Sequence, residues 1–174
     1  MMTHRHKDGA IVNASRRCRR ILIVADANSA HTVRWVGALA ARGHQIALFT
    51  LVDPQGCDYA QFANVAVYSA GIALRLVRGA EGSLTKLRYL AALPALRRCA
   101  ARFEPQLVHA HYLSSYGLLC VLAGLKPLLI SVWGSDVFSL PSRVPLARPI
   151  LRAALARADR VLSTSRAMPC CQPP

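Results

Sequence analysis

The chain has 174 residues, enough for one domain with an ordinary core and too few for two full ones. Hydrophobic residues make up 53 % and charged residues 17 %, which excludes a disordered chain and supplies material for elements covered on several sides. The formal net charge of +14 points to an anionic partner, but the first twenty residues hold +5 of it and the rest is spread without the alternating aromatics of a base-stacking platform, so nucleic acid is not expected as a partner.

Residues 1–18 read as a basic, disordered arm. The apolar run after it, "ILIVADA", is too short for a secretory signal. Leu118 to Val132 is broken by Lys126-Pro127 and falls short of the ~18 uncharged residues of a membrane span. A cytoplasmic protein is expected, in solution or peripheral at the inner face of the membrane. Cys18, Cys57, Cys99, Cys120, Cys170 and Cys171 lack ligand spacing and read as free thiols, Cys99 and Cys120 within the core.

In chain order, "RILIVA" (Arg20 to Ala25) is a β-branched and aliphatic run of the length of a strand buried on both faces. The turn and cap formers of "DANSAHT" follow, with Ser29 or Thr32 able to cap the next helix. That helix, "TVRWVGALAARG", spaces Val33, Val36, Leu39 and Ala40 helically and stops at Gly43, and "HQIALFTL" is a second strand, completing a βαβ unit. Pro54 to Ala63 is loop, "VAVY" a short strand, and Ser83 to Phe103 a helical region that Pro94 is expected to kink or split. Then come the strand "PQLVHAH", the helix "SSYGLLCVLAGL", the strand "KPLLISVW", the loop "GSDVFSLPS", the helix "PLARPILRAALARAD" with Pro149 tolerable only in its first turn, and the strand "RVLSTS". The alternation predicts a doubly wound α/β domain with a mainly parallel sheet.

Ligands of such sheets sit at the carboxyl ends of the strands. That edge collects "DANSAHT", "HAHYLSSYG", "WGSD" and "STSRAM". His109 and His111 stand two apart and face the same way while the strand is extended. A metal site would need a third ligand that nothing fixes, so none is expected. The reading preferred is His109 packed and hydrogen-bonded at the strand end and His111 opening into the cleft, in a reactive-site role or as a satisfied structural histidine. In "WGSD" a glycine lets backbone approach a ligand while Asp136 accepts sugar hydroxyls or, with Ser135, caps a turn. The dinucleotide fingerprint, the Walker loop and the G-x-S-x-G elbow are all missing.

"RRILIVADANSAHTVRWVGALAARGHQIALFT", "LVHAHYLSSYGLLCVLAGLKPLLISVWGSDVF" and "ADRVLSTSRAM" together resemble the N-terminal domain of family 4 glycosyltransferases, over about Arg19 to Met168. The resemblance implies a Rossmann-like domain forming the N-terminal half of a GT-B architecture, in a retaining enzyme that moves a sugar from a nucleotide sugar to a saccharide, lipid-linked or small-molecule acceptor. It implies no cofactor beyond that donor substrate. His111 corresponds to the cleft histidine near the reacting sugar, the only catalytic residue carried over. Asn28, Ser29, His31 and Thr32 of the first loop, Tyr112 beside His111, and Gly134, Ser135 and Asp136 are implied acceptor or sugar contacts. The first loop lacks the glycines usual in relatives, which weakens direct phosphate contact. The donor contacts and paired glutamates of the family are expected in a C-terminal domain. Glu81 and Glu104 are too far apart to supply the pair, and residues 169–174 ("PCCQPP") read as an aberrant tail, so a chain inactive alone is expected. The competing reading is a standalone binding module that docks a separate donor-domain chain or an anionic membrane surface. Lys86, Arg88, Arg97, Arg98 and Arg102 do not fall on one helical stripe, which favours a solvated face over a membrane face.

Overall fold

The computed structural model describes residues 18–56, 58–74, 89–134 and 147–163. They form β1 (Arg20–Val24), α1 (Ala30–Ala40), β2 (Gln45–Thr50), β3 (Val65–Ser69), α2 (Leu93–Phe103), β4 (Leu107–His111), a five-residue π-helical turn (Leu113–Gly117), α3 (Leu118–Ala123), β5 (Leu128–Val132), α4 (Ala147–Ala156) and β6 (Arg160–Ser163). The six strands among the described residues make one sheet in the order β3-β2-β1-β4-β5-β6, every pair parallel. The expected doubly wound α/β fold is therefore present, with its topological switch point between β1 and β4.

The period of two along each strand divides the core. Leu22 and Val24 point to the face packed by α2, α3 and α4, where they meet Phe49, Leu96, Val108, Leu119, Ile130 and Leu151. Ile21 and Ile23 point to the other face and pack with Val36 of α1, Ile46, Leu48 and Tyr59. Both faces are covered, which is why these strands read as unbroken apolar runs rather than alternating ones. Cys99 and Cys120 are buried on the first face, and burial lifts the Cys99 thiol to about 11 and raises that of Cys120 as well. Cys18 is exposed, and Cys57, Cys170 and Cys171 lie outside the described residues.

Two local expectations need correction. Ser29 occupies the cap position of α1 in extended conformation, but its side chain makes no capping hydrogen bond, and Thr32 lies within the helix. Pro94 stands in the first turn of α2, where its missing N–H costs no intrahelical bond, and residues 89–92 directly before it form a 3₁₀ turn, so the helical region is split beside this proline as expected. Residues 83–88 lie outside the description. The helix expected from Ser114 opens instead as a π-helical turn, for a reason that belongs to the site below. Pro149 is the third described residue of α4.

Two of the exposed cations are engaged by neighbouring groups. The Arg97 guanidinium donates to the carbonyls of Leu122 (2.9 Å) and Ala123 (3.5 Å) at the end of α3, and Lys126 pairs with Asp159 at 3.5 Å. Asp159 in turn accepts the Leu128 N–H at 2.7 Å, which together with Lys126 holds its carboxyl below the usual range. No helix among the described residues is long and apolar enough to cross a membrane.

Leu22 is fully buried in the central strand, whereas Leu122 is 44 % exposed on α3. Leu22→Ala should therefore lower unfolding stability by about 2–5 kcal/mol in urea titrations, and Leu122→Ala by less than about 0.5 kcal/mol. Equal losses would contradict this placement of the core.

Candidate functional site

At the carboxyl edge of the sheet, β4 ends in two imidazoles. Val108 and Ala110 join the core under α3, so His109 and His111 project to the opposite face, toward α1. There α1 presents Trp35, whose ring meets His109 edge-on at 5.1 Å and His111 at 6.1 Å. The two imidazole rings lie 4.5 Å apart. One turn earlier on α1, His31 packs on Trp133, the residue after β5, at 4.5 Å, and Trp133 runs nearly parallel to Tyr112 at 6.1 Å and 18°. The ends of two strands and one helix thus converge on a cluster of imidazoles and aromatic rings.

The two histidines differ in what they bond. His109 Nε2 lies 2.8 Å from Ser131 Oγ on β5, so the expectation of a packed, hydrogen-bonded His109 describes its geometry. His111 is 4 % exposed, and neither of its ring nitrogens has a hydrogen-bond partner. The side chain is buried, with the Trp35 ring edge-on to it, instead of opening into the cleft as expected. Burial, then the neighbouring His31, lowers the pKa of His111 to about 4, and burial, then His111, lowers that of His109 to about 3. Both rings are neutral near pH 7, each with one N–H and one lone pair.

The backbone beyond His111 is strained. Tyr112 has φ 74° and ψ 111°, fixed between its own N–H, which donates to Ser131 O (3.1 Å), and its carbonyl, which accepts from Gly117 N (2.8 Å). The second bond closes the π-helical turn. A side chain at Gly117 would press within 3.3 Å of both Ile130 and the Tyr112 carbonyl and make a neighbour give way by a few tenths of an ångström, so glycine eases the close approach of the turn to β5. A non-glycine residue in such a conformation costs about 1–3 kcal/mol, and its result here is a tyrosine ring 40 % exposed at the rim of the site.

The first loop is braced from below. Asn28 donates to Asp26 Oδ1 and the Asp53 carbonyl (both 3.3 Å) and accepts from Gln55 N (2.6 Å). Tyr59 donates to the Ala27 carbonyl at 2.6 Å, and Thr50 accepts from Ala27 N at 3.3 Å while donating to Val52 O at 3.0 Å. Tyr116 lies beneath. Burial, then the charge of Asp26, raises the pKa of its phenol, against hydrogen bonds with Thr50 and the Leu51 backbone.

Of the residues singled out in the sequence, the structure brings together His31, His111 and Tyr112, with Gly134 following Trp133 at the same edge. Asn28 is committed to the loop, Ser29 holds the start of α1 through its backbone, and Thr32 is buried on the stripe it shares with Val36 and Ala40. Ser135 and Asp136 lie outside the described residues. Trp35, Ser131 and Trp133 were not anticipated. Trp35 stands four residues after His31, one helical turn, and Ser131 is a hydroxyl inside an otherwise apolar buried strand, which are the signals that mark them. Among the described residues no three His, Cys, Asp or Glu side chains converge as metal ligands. A groove of about 370 Å³ lined by Arg97, Pro105, Gly124 and Lys126 opens at the opposite edge, but its two cations are the ones already engaged above.

A parallel sheet in this strand order defines a Rossmann-like domain. Residues 20–165 match the glycosyl transferase 4-like family, and the chain belongs to it. Two solved structures of sucrose-phosphate synthase from Thermosynechococcus elongatus share the fold. One has a TM-score of 0.60 at 18 % identity, covering 84 % of this chain and 42 % of that one. The other has a TM-score of 0.52 at 19 % identity, covering 84 % and 77 %. The chain therefore corresponds to less than half of the first structure's length, and the GT-B likeness is to its fold. No curated protein matches the sequence.

The lowered imidazoles have a consequence for stability. From the ordinary value of 6.5 down to about 4 and 3, the unfolded chain binds protons that the folded chain does not, so stability is full above pH 6.5 and falls on acidification. Each ring contributes a slope of about 1.4 kcal/mol per pH unit in that window. The urea midpoint should be lower at pH 5 than at pH 7.5, and the His109 and His111 ring resonances should stay unprotonated between pH 8 and pH 5. Titration of either near 6.5 would contradict the buried cluster.

Proposed function

We propose that this chain is the acceptor-side domain of a retaining glycosyltransferase, which transfers a hexosyl or related sugar from a nucleotide sugar to a saccharide, lipid-linked or small-molecule acceptor. The observation that carries the reading is His111: a neutral imidazole with both nitrogens unpaired, at the end of a central strand on the ligand edge of the sheet. A buried polar group without a partner costs about 1–3 kcal/mol, and a sugar hydroxyl is the right chemistry to recover it, accepting from one nitrogen or donating to the other. Access follows movement of Trp35, a 39 % exposed side chain of α1.

In this reading the reaction is a front-face displacement at the anomeric carbon, in which His111 orients the reacting sugar and the charge of the departing phosphate is met chiefly by positive groups of the donor domain. Family membership and the shared GT-B-type fold support a sugar-transferring role, and the length relation to sucrose-phosphate synthase supports a domain that works opposite a second one.

The test is nuclear magnetic resonance of the His111 ring, with the 174-residue chain titrated separately with methyl hexopyranosides and with UDP-glucose or GDP-mannose. The glycosides are expected to shift the His111 ring signals, the nucleotide sugars to be turned over at well below the ~1–10³ per second of ordinary enzymes, and His111→Ala to weaken glycoside binding about tenfold. Glycosides that leave His111 untouched, or turnover at an ordinary rate by the chain alone, would overturn the acceptor-side reading.

A further inference from the structure

The layer made by α2, α3 and α4 has an outer side that the site does not use. α3 lies between α2 and α4, in contact with both, and the three helices bury Leu96, Cys99, Leu119, Cys120, Leu151 and Ala154 toward the sheet. Their exposed side is basic. α2 carries Arg97, Arg98 and Arg102, α4 carries Arg148 and Arg152, and Arg157 follows α4 directly, all exposed, while the three helices contain no aspartate or glutamate. The ion pairs among the described residues are Arg20 with Glu104 and Lys126 with Asp159, so Arg98, Arg102, Arg148, Arg152 and Arg157 have no carboxylate partner there. The other described carboxylates, Asp26, Asp53 and Asp58, lie in the loops after β1 and β2. The same layer carries the two most exposed large apolar side chains described, Ile150 at 51 % and Leu122 at 44 %. No single helix holds these charges as a stripe. With neighbouring helix axes about 8–10 Å apart, packing the three side by side spreads the arginines over a surface instead of along a line.

We propose that this layer docks the domain on the surface of a bilayer containing anionic lipids. The guanidinium groups meet the headgroup phosphates, and Leu122 and Ile150 enter the boundary with the acyl chains. A lone exposed leucine is ordinary on any surface, but two aliphatic side chains among unpaired arginines match both the charge and the apolar depth of a membrane interface. Charge alone would suit any polyanion. A nucleic acid bound without sequence preference stacks its bases on aromatic rings, and the exposed tryptophan and tyrosine described, Trp35 and Tyr112, lie on α1 and at the carboxyl edge of the sheet instead of on this layer. Docked this way, the α1 face points to water. His111, on that face, then stands more than one helix diameter, roughly 10–12 Å, from the headgroups. The inference uses none of the residues of the sugar-transfer reading and does not rest on it.

Sedimentation of the 174-residue chain with vesicles tests it, using phosphatidylcholine alone and phosphatidylcholine with about one third phosphatidylglycerol, at physiological ionic strength. The chain is expected to bind the anionic vesicles about tenfold more tightly than the neutral ones, and Arg98→Glu, Arg102→Glu and Arg152→Glu together should weaken that binding about tenfold. A control with Arg5→Glu, Lys7→Glu and Arg16→Glu has the same net charge and should stay within about threefold of the parent chain. Leu122→Ser with Ile150→Ser should weaken binding about fivefold. All the helix substitutions are at exposed side chains, so the urea midpoints should stay near that of the parent. The proposal is overturned if neither vesicle binds or both bind alike, or if the helix arginine variant loses no more than the control. It is equally overturned if the serine variant binds like the parent, in which case the layer is a general polyanion surface and a single-stranded oligothymidylate should compete for it. None of these results alters the His111 ring shifts expected with glycosides, so the two readings fail separately.

Discussion

Two imidazoles on the buried face of a central strand constrain the rest of this structure. Parallel strands covered on both sides are ordinarily filled with branched aliphatic residues, and β1, β2 and the α3-facing side of β4 follow that rule. The α1-facing side of β4 does not. His109 and His111 can be buried there only as neutral rings, so their surroundings must be aromatic or hydroxylic and free of carboxylates that would draw a proton back. The groups found against them, Trp35, His31 and Ser131, meet that requirement.

A second constraint follows where β4 must leave the sheet. Tyr112 is still hydrogen-bonded to β5 through its N–H, yet the chain has to turn at once into a helix on the other face. The wide π-helical turn makes that change in five residues, and Gly117 lets it pass against Ile130. The same turn places Tyr116 downward, beneath the first loop with Thr50, and Tyr112 outward at the rim. One backbone irregularity thus serves both the underside of the first loop and the rim of the aromatic cluster, in keeping with the frequency of π-turns at functional sites.

Much of this was legible in the sequence because each long apolar run had a single good interpretation. "RILIVA" and "HQIALFTL" around a helix ending near Gly43 leave little room for anything but a βαβ unit, and their strands and helix lie within three residues of those bounds. The site was half legible for the opposite reason. The ligand edge of a doubly wound sheet follows from topology, so His111, Tyr112 and His31 could be named, but which side chains face the same volume depends on strand register and helix rotation. Trp35 joins the histidines because α1 crosses the α1-facing side of β4, and Ser131 joins them because it lies beside His111 in the β4–β5 pairing. Asn28 and Thr32 look equally polar and equally near in sequence, yet one is consumed by the Asp53 and Gln55 backbone and the other turns inward with Val36. Local pattern does not carry that distinction.

The electrostatics of this wall bear on which half of a transfer reaction it suits. An imidazole that takes up a proton only near pH 4 is a hydrogen-bonding group at neutral pH, and gives a departing phosphate no full positive charge. The first loop sets the Asp26 carboxylate just before α1, and Asp26 also opposes ionisation of Tyr116 below it. That negative charge offsets the partial positive end of α1, the feature that would otherwise attract a phosphate. Hydroxyl-bearing ligands are indifferent to both effects, since they need paired donors and acceptors rather than net charge. On the function proposed above, a wall of this kind suits sugar hydroxyls, and the charge of a leaving group would be met elsewhere.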